Sequence, residues 1–188
     1  MTYLRTPGQL AGPPPRVVTR EYLSDDDLGR MRTLVRMRRL VARGAVHPTV
    51  QALTRRVLTE RGGGNPRSAS QAIRDWCQES ITFVPDPPTV ELLYEPWYLA
   101  RLALAGHHLG VDCDDVATLG GAMAKACGLD VQFRAVAFLD TRRPYGHVFT
   151  EIRLHEAGGG LVIDVDITRE AQGAPPPCLV TRQVVMRS

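Results

Sequence analysis

Three residue types that together support nucleophilic chemistry occur in the second half of the 188-residue chain. Cys113 stands at a predicted helix start, His147 at a predicted strand start, and an aspartate on the strand after it. A thiol attacks a carbonyl as its thiolate, and the backbone N–H groups at a helix N-terminus favour that anion and can stabilise an oxyanion. An imidazole can take the thiol proton while a carboxylate orients the ring. The order of these residues predicts thiol-dependent acyl chemistry.

Two aspartates, Asp164 and Asp166, could orient the imidazole, because residues two apart on a strand point to the same face. If the strands form a hairpin that turns at residues 157–158, Asp166 lies opposite Phe149, one diagonal step from His147. Asp164 then lies farther from the ring. The register favours Asp166 and keeps Asp164 as the alternative.

The acids beside the thiol oppose this interpretation. Asp112, Asp114 and Asp115 surround Cys113 with negative charge, which disfavours the thiolate. A helix dipole, worth about 0.3–1 kcal/mol at an exposed site, cannot offset three carboxylates. We therefore expect His147, as an imidazolium, to supply most of the stabilisation. Without that contact, Cys113 would be an inert packing residue.

The element that must carry the thiol is a helix from Cys113 to Cys127. Asp112 suits its N-cap, and Gly128 suits the position after its end. Several small side chains fall on one face, where a neighbouring backbone could approach closely: Cys113, Ala117, Gly120, Gly121 and Ala124.

Beyond Gly128 the hydrophobic period changes to that of strands. The four predicted strands are Val131–Phe138, His147–Leu154, Leu161–Ile167 and Leu179–Met186. Before them come predicted helices that begin at Ser24, at Pro48, near Ser68 or Ser70, and at Pro96. Helices first and an antiparallel sheet afterwards indicate the α+β class.

These residues resemble the transglutaminase-like cysteine enzyme superfamily, a circularly rearranged relative of the papain design. The resemblance covers roughly residues 68–168 and is carried by Gly110–Asp115, Ala126–Leu129, Gly146–Phe149 and Asp166–Thr168. It implies a papain-like core, in which the helix bearing the cysteine packs on an antiparallel sheet. It also implies hydrolysis of a peptide or amide bond, or acyl transfer to an amine, with no cofactor and no metal.

Carried over to this chain, the resemblance makes Cys113 the nucleophile, His147 the base and Asp166 the orienting acid. The Asp166-Ile167-Thr168 triplet matches the family's Asp-x-Thr pattern and again favours Asp166 over Asp164. The family's oxyanion donor has no clear match, although Gln78 and Trp97 have suitable side chains.

The Asp-Cys-Asp-Asp form and the segment from Ile81 to Pro96 resemble a subgroup found in tailed bacteriophages and prophages. This implies a place in the cytoplasm of a bacterial host or in a phage virion. The expected organisation is a Pro-rich extended arm over 1–22, an Arg-rich helical extension over 23–64 and the transglutaminase-like domain over 65–188.

Composition excludes several other classes. Hydrophobic residues make up 44% of the chain, but no apolar run approaches the ~20 residues that span a bilayer. The N-terminus lacks the apolar core of a secretory signal. The 4 cysteines contain no CxxC pair, which argues against a zinc ribbon or a disulfide scaffold. The sequence thus predicts no membrane association and no classical secretion.

The main alternative is a catalytically silent protein that keeps the fold as a structural or docking module in a phage assembly. The arm over 1–22 and the Arg-rich helix from Arg30 to Arg43 could bind protein partners. A net charge of +3 without interleaved aromatic residues argues against nucleic acid. A metal site that includes His107 and His108 is also disfavoured, because adjacent residues point in different directions. The resemblance to the transglutaminase-like superfamily implies a protein or peptide substrate.

Overall fold

The computed structural model describes residues 17–22, 27–87, 90–138, 147–156, 159–167 and 180–187. A helical first half precedes a sheet, so the fold is mixed α and β in the order that the sequence predicts. The helices are α1 (Asp27–Ala45), α2 (Pro48–Arg61), α3 (Pro66–Ser80), α4 (Pro96–Leu104) and α5 (Cys113–Ala126). The strands are β1 (Val17–Tyr22), β2 (Ile81–Phe83), β3 (Val90–Tyr94), β4 (Leu109–Val111), β5 (Asp130–Phe138), β6 (His147–Glu156), β7 (Gly159–Val165) and β8 (Val180–Arg187).

The main sheet has four strands in the order β7-β6-β5-β8, and every neighbouring pair is antiparallel. Its strands match the four predicted ones to within two residues at each end. Glu156 pairs with Gly159 across a two-residue connection, which is the predicted hairpin. Thr150 lies opposite Val165 in this register, so Asp166 follows directly after the last paired residue of β7.

Helix α5 is buried between α1 and the sheet, and its glycines allow the close approach. A Cβ atom on Gly120 would lie 2.8 Å from Cγ1 of Val165 in β7. A Cβ atom on Gly121 would lie 3.1 Å from Cγ2 of Val41 in α1 and 3.2 Å from Oγ1 of Thr150 in β6. The small-residue face of α5 therefore does what its composition predicts: it lets other elements pack against the helix backbone.

Helix α1 is amphipathic, and its apolar side joins the core of the whole molecule. Met37, Leu40 and Val41 are at most 1% exposed, and they belong to the same core cluster as the residues of α5. The arginines at positions such as Arg38 and Arg39 are exposed, as an amphipathic helix requires. Among the described helices, none combines the length and the apolar character needed to cross a bilayer.

The predicted start of α3 near Ser68 or Ser70 is wrong, because the helix begins at Pro66. The side chain of Asn65 accepts a hydrogen bond from the Ser68 backbone N–H at 3.0 Å. In return, the Asn65 backbone N–H donates to Oγ of Ser68 at 3.1 Å. This capping box, with a proline at the first helical position, fixes the start two residues before Ser68.

Four short strands do not follow from the sequence pattern. β1, inside the stretch predicted to be an extended arm, pairs antiparallel with β3, and β2 pairs parallel with β4. A strand of three residues, such as β2 or β4, carries too little alternation to be detected, and its pairing depends on distant partners. The boundaries at residues 22 and 64 stay predictions.

Candidate active site

His147 and Asp166 form a buried pair at the sheet. Nε2 of the imidazole lies 2.9 Å from Oδ2 of the carboxylate, and the two side chains are 8% and 5% exposed. His147 is the first residue of β6, and Asp166 follows β7, so the hairpin register brings them together diagonally. With Nε2 directed at the carboxylate, Nδ1 is the ring nitrogen that can exchange a proton with a nucleophile.

Two further side chains hold this pair, and neither has this role among the predictions from sequence. The ring of Phe149 stacks on the imidazole of His147, with centroids 5.8 Å apart and an interplanar angle of 29°. The side-chain amide of Gln78 donates to the backbone carbonyl of Asp166 at 3.3 Å. Phe149 could have been found from its i+2 spacing to the histidine. The contact of Gln78, which comes from α3, has no local signal in the sequence.

The alternative acid, Asp164, lies in β7 opposite Glu151. Glu151 is buried and forms a polar cluster on this part of the sheet. Its carboxylate accepts hydrogen bonds from Nε2 of Gln132 at 2.5 Å and from Nε of Arg134. Asp166 is thus the aspartate whose carboxylate contacts Nε2 of His147. Asp164 lies next to the Glu151 cluster on the neighbouring strand.

Cys113 is the first residue of α5 and is half-buried. Asp112 precedes it in an extended conformation, with φ −94° and ψ −169°. The expected capping role of Asp112 is incomplete, because its side chain makes no capping hydrogen bond. Asp115, the acid at the third helical position, accepts instead from the backbone N–H of Tyr94 at 2.7 Å. A tertiary contact therefore replaces the local one at this helix end.

The middle of α5 packs on the same strands that carry the pair. Oγ1 of Thr150, three residues after His147, donates to the backbone carbonyl of Ala117 at 2.6 Å. Ala117 lies four residues after Cys113, which is about 6 Å of helix rise. One turn further along, Gly120 contacts Val165, the residue before Asp166. The elements of the three predicted site residues are thus in direct contact with one another.

The acids around the thiol are buried. Asp112, Asp114 and Asp115 are 9%, 2% and 1% exposed, and one oxygen from each lies within 4.8 Å of the others. Among the described residues, Oδ1 of Asp112 and Oγ1 of Thr118 have no hydrogen-bond partner. Carboxylate oxygens are the ligands that Ca²⁺ and Mg²⁺ prefer, but acids at the positive end of a helix are also stabilised by its dipole. The absence of a metal stays a prediction.

The two other cysteines in the described part of the chain are poor nucleophiles. Burial raises the pKa of the Cys77 thiol to about 12. Burial also raises the pKa of Cys127, whose Sγ donates to the carbonyl of Met123 at 3.3 Å. Cys178 lies outside the described residues. The cysteine count alone could not separate these thiols from Cys113.

Two cavities lie away from the pair. One of about 580 Å³ is lined by α2, the start of α3 and the end of α5, including Asn65 and Cys127. Another of about 300 Å³ includes Trp76, His107 and His108. Neither lining contains Cys113, His147 or Asp166, so the shape of these cavities does not identify a substrate cleft.

Comparisons with known proteins give one distant structural likeness. No protein-family model matches the chain, and no curated protein sequence does. A crystal structure described as that of a "putative protease" from Parabacteroides distasonis superposes with a TM-score of 0.46 and 13% identity. The match covers 71% of this chain and 29% of that one, so the chain spans less than a third of that protein. A likeness at this level carries no functional argument, so the function must be inferred from the residues of the site.

Proposed function

We propose that the chain is a cysteine-dependent peptide or amide hydrolase, or an acyl transferase, with a transglutaminase-like, papain-related core. Cys113 attacks, His147 moves the proton and Asp166 orients the imidazole. The single observation that carries the proposal is the buried pair between Nε2 of His147 and Oδ2 of Asp166. A carboxylate bonded to one ring nitrogen holds the imidazole in one orientation, which a positioned base requires.

The chemistry begins with proton transfer from the Cys113 thiol to the imidazole of His147. The thiolate attacks the carbonyl carbon of the substrate, and the backbone N–H groups at the start of α5 stabilise the resulting oxyanion. The imidazolium returns its proton to the leaving amine as the C–N bond breaks, which leaves a thioester on Cys113. Attack by water then completes hydrolysis, and attack by an amine completes acyl transfer. We favour hydrolysis, because an acceptor amine would need a binding site of its own.

In this mechanism Asp166 holds the ring and stabilises its charged form. A hydrogen bond at Nε2 orients Nδ1 for proton exchange and favours the imidazolium that forms when Cys113 ionises. The contact from Gln78 to the Asp166 carbonyl supports the segment that carries the acid. Phe149 restricts rotation of the ring by stacking on it.

The substrate and setting that we propose come from the resemblance to the transglutaminase-like superfamily and its phage subgroup. The substrate is a protein or peptide, and the setting is a bacterial host cell or a tailed-phage particle. Protein partners would bind through the N-terminal arm and the Arg-rich helix, whose outward side chains such as Arg38 and Arg39 are exposed.

The test is site-resolved alkylation. Iodoacetamide at pH 6 should label Cys113 much faster than Cys127, because a thiolate reacts and a neutral thiol does not. Mass spectrometry of the peptides distinguishes the two within the same sample. A peptide-library assay on the wild type and on Cys113→Ala then tests cleavage, which the substitution should abolish. Equal slow labelling of both cysteines would remove the basis of the proposal.

The second candidate is a catalytically silent structural protein with the same fold. The observation that favours it is the burial of Asp112, Asp114 and Asp115 beside the thiol, because their charge opposes thiolate formation. In that case Cys113 should label as slowly as Cys127 over the whole neutral pH range. Protection of residues 1–45 from hydrogen exchange by a partner protein would then support a docking role.

A further inference from the structure

Aromatic side chains are concentrated on one part of the surface. The chain has only 2 tryptophans and 5 tyrosines, yet one tryptophan and two tyrosines fall at positions 94, 97 and 98. Trp97 and Tyr98 lie at the start of α4, and both are half-buried. Partly exposed aromatic residues together with arginine are typical of surfaces that bind other proteins.

The rings form one continuous series of contacts. The imidazole of His47 stacks on Trp97, with centroids 5.6 Å apart and an angle of 24°. Trp97 meets Tyr98 edge-on at 6.1 Å, and Tyr98 stacks on Tyr94 at 6.1 Å and 20°. We refer to the surface made by His47, Tyr94, Trp97, Tyr98 and Arg101 as the aromatic surface. Mutual contact fixes the rings, so little side-chain entropy would be lost on binding.

Arg101 gives this surface its chemical preference. Its Cζ lies over both Trp97 and Tyr98, at 5.5 Å and 5.3 Å from the ring centroids. Within the part of the chain that the structure describes, Arg101 makes no ion pair, whereas the nearby Arg43 bonds Glu95 at 3.2 Å. A guanidinium that lies over aromatic rings can still present the planar edge that carries its N–H groups to an acceptor. The acceptor that matches that planar edge is a carboxylate.

We propose that the aromatic surface binds a peptide segment of a partner protein that presents a carboxylate next to an apolar side chain. The apolar group packs on Trp97 and Tyr98, and the carboxylate pairs with Arg101. The carboxylate is that of an acidic side chain. Residues 1–16 of this chain, which precede β1, contain no Asp or Glu, so this segment lacks the required group. The proposal is independent of catalysis at Cys113.

The test uses the two indole N–H signals in NMR spectra of the ¹⁵N-labelled protein. Trp97 reports on the aromatic surface, and the buried Trp76 is the internal control. A Cys113→Ala background keeps every peptide intact. The probes are capped hexapeptides with a Leu-Glu-Glu core, the same peptide with Gln for Glu, the Gln peptide with a free C-terminal carboxylate, and a capped proline hexamer.

The Glu peptide should shift the Trp97 signal saturably and leave Trp76 in place, and the Gln peptide should bind about tenfold more weakly. Arg101→Gln should remove this difference, and Arg101→Lys should keep part of it, because lysine retains the charge but not the planar edge. Arg55→Gln, at an exposed arginine of α2 that has no cation–π contact with the described rings, is the matched control and should change nothing.

Stronger binding by the Gln peptide with a free terminus than by the capped Glu peptide would overturn the proposal, because the surface would then select a chain terminus. Equal binding of the Glu and capped Gln peptides would overturn it. So would full binding by Arg101→Gln with an unchanged Trp76 signal, because that signal shows that the variant is folded. Tight binding of the proline hexamer alone would assign the surface to an uncharged ligand and also reject the proposal.

Discussion

Helix α5 has a cysteine at each end. Both thiols are partly buried, but their backbone surroundings and hydrogen bonds differ. Cys113 opens the helix, where backbone N–H groups point outward, and it is followed by two aspartates. Cys127 caps the other end, where carbonyl groups point outward, and it donates to the Met123 carbonyl. Burial also raises the pKa of Cys127. The two helix ends therefore differ in the polarity of their backbone groups, and burial in addition disfavours the thiolate of Cys127.

The largest effect that would sharpen this comparison is expected from His147→Ala. If an imidazolium stabilises the Cys113 thiolate, its removal should slow alkylation of Cys113 at pH 6 by about 100-fold, because an ordinary thiol is mostly protonated there. Cys127 in the same sample should label at an unchanged rate. His155→Ala is the control, since that side chain lies on the same strand and is 76% exposed. Unchanged labelling of Cys113 in His147→Ala would contradict the proton transfer.

A smaller effect is expected from Asp166→Asn, with Asp164→Asn as its matched partner two residues away. Loss of the charged acceptor at Nε2 of His147 should slow Cys113 alkylation about tenfold, the size of one hydrogen bond to a charged group. Asp164→Asn should change the rate less than twofold by the same reasoning. Similar decreases in the alkylation rate in both variants would mean that the two acids act through their charge at a distance, and not Asp166 through its hydrogen bond to His147.

The elements around α5 could be predicted because their signals are local. A proline-free stretch rich in small and apolar residues, an acidic first turn and Gly128 after its end defined the helix. Period-two alternation and the Gly-rich turn near Gly159 defined the hairpin. The hairpin register then gave the diagonal between His147 and Asp166, which the 2.9 Å contact matches.

Other features could not be predicted because they depend on tertiary contacts. Tyr94 donates to Asp115 from β3, and Gln78 reaches the carbonyl of Asp166 across 88 residues of sequence. No local pattern encodes either contact. The missed start of α3 is different, because Asn65 followed by proline is a recognisable cap that the apolar periodicity outweighed.

The contact between α5 and the sheet can be broken by Gly120→Ala. The new Cβ would lie 2.8 Å from Cγ1 of Val165, so the Val165 side chain, or the strand that carries it, must shift. Overpacking costs about 1–3 kcal/mol, and the better helix propensity of alanine returns about 1 kcal/mol. We expect a net loss of about 1 kcal/mol in urea unfolding, together with slower Cys113 labelling. Gly121→Ala, with contacts of 3.1 and 3.2 Å, should cost less, and equal losses would contradict this packing argument.

The smallest effect extends the comparison to the third thiol, Cys77, and appears only at high pH. Burial raises its pKa to about 12 in the folded protein, whereas an unfolded cysteine ionises near 8.5–9. Below that range the thiol is protonated in both states; above it the unfolded state loses the proton first, so stability falls as pH rises. Ionisation of Cys77 in the unfolded state should lower the free energy of unfolding by roughly 1 kcal/mol at about pH 9.7. Cys77→Ala should flatten that pH dependence, and Cys127→Ala should flatten it less. Equal slopes in the wild type and both variants would show that Cys77 ionises normally.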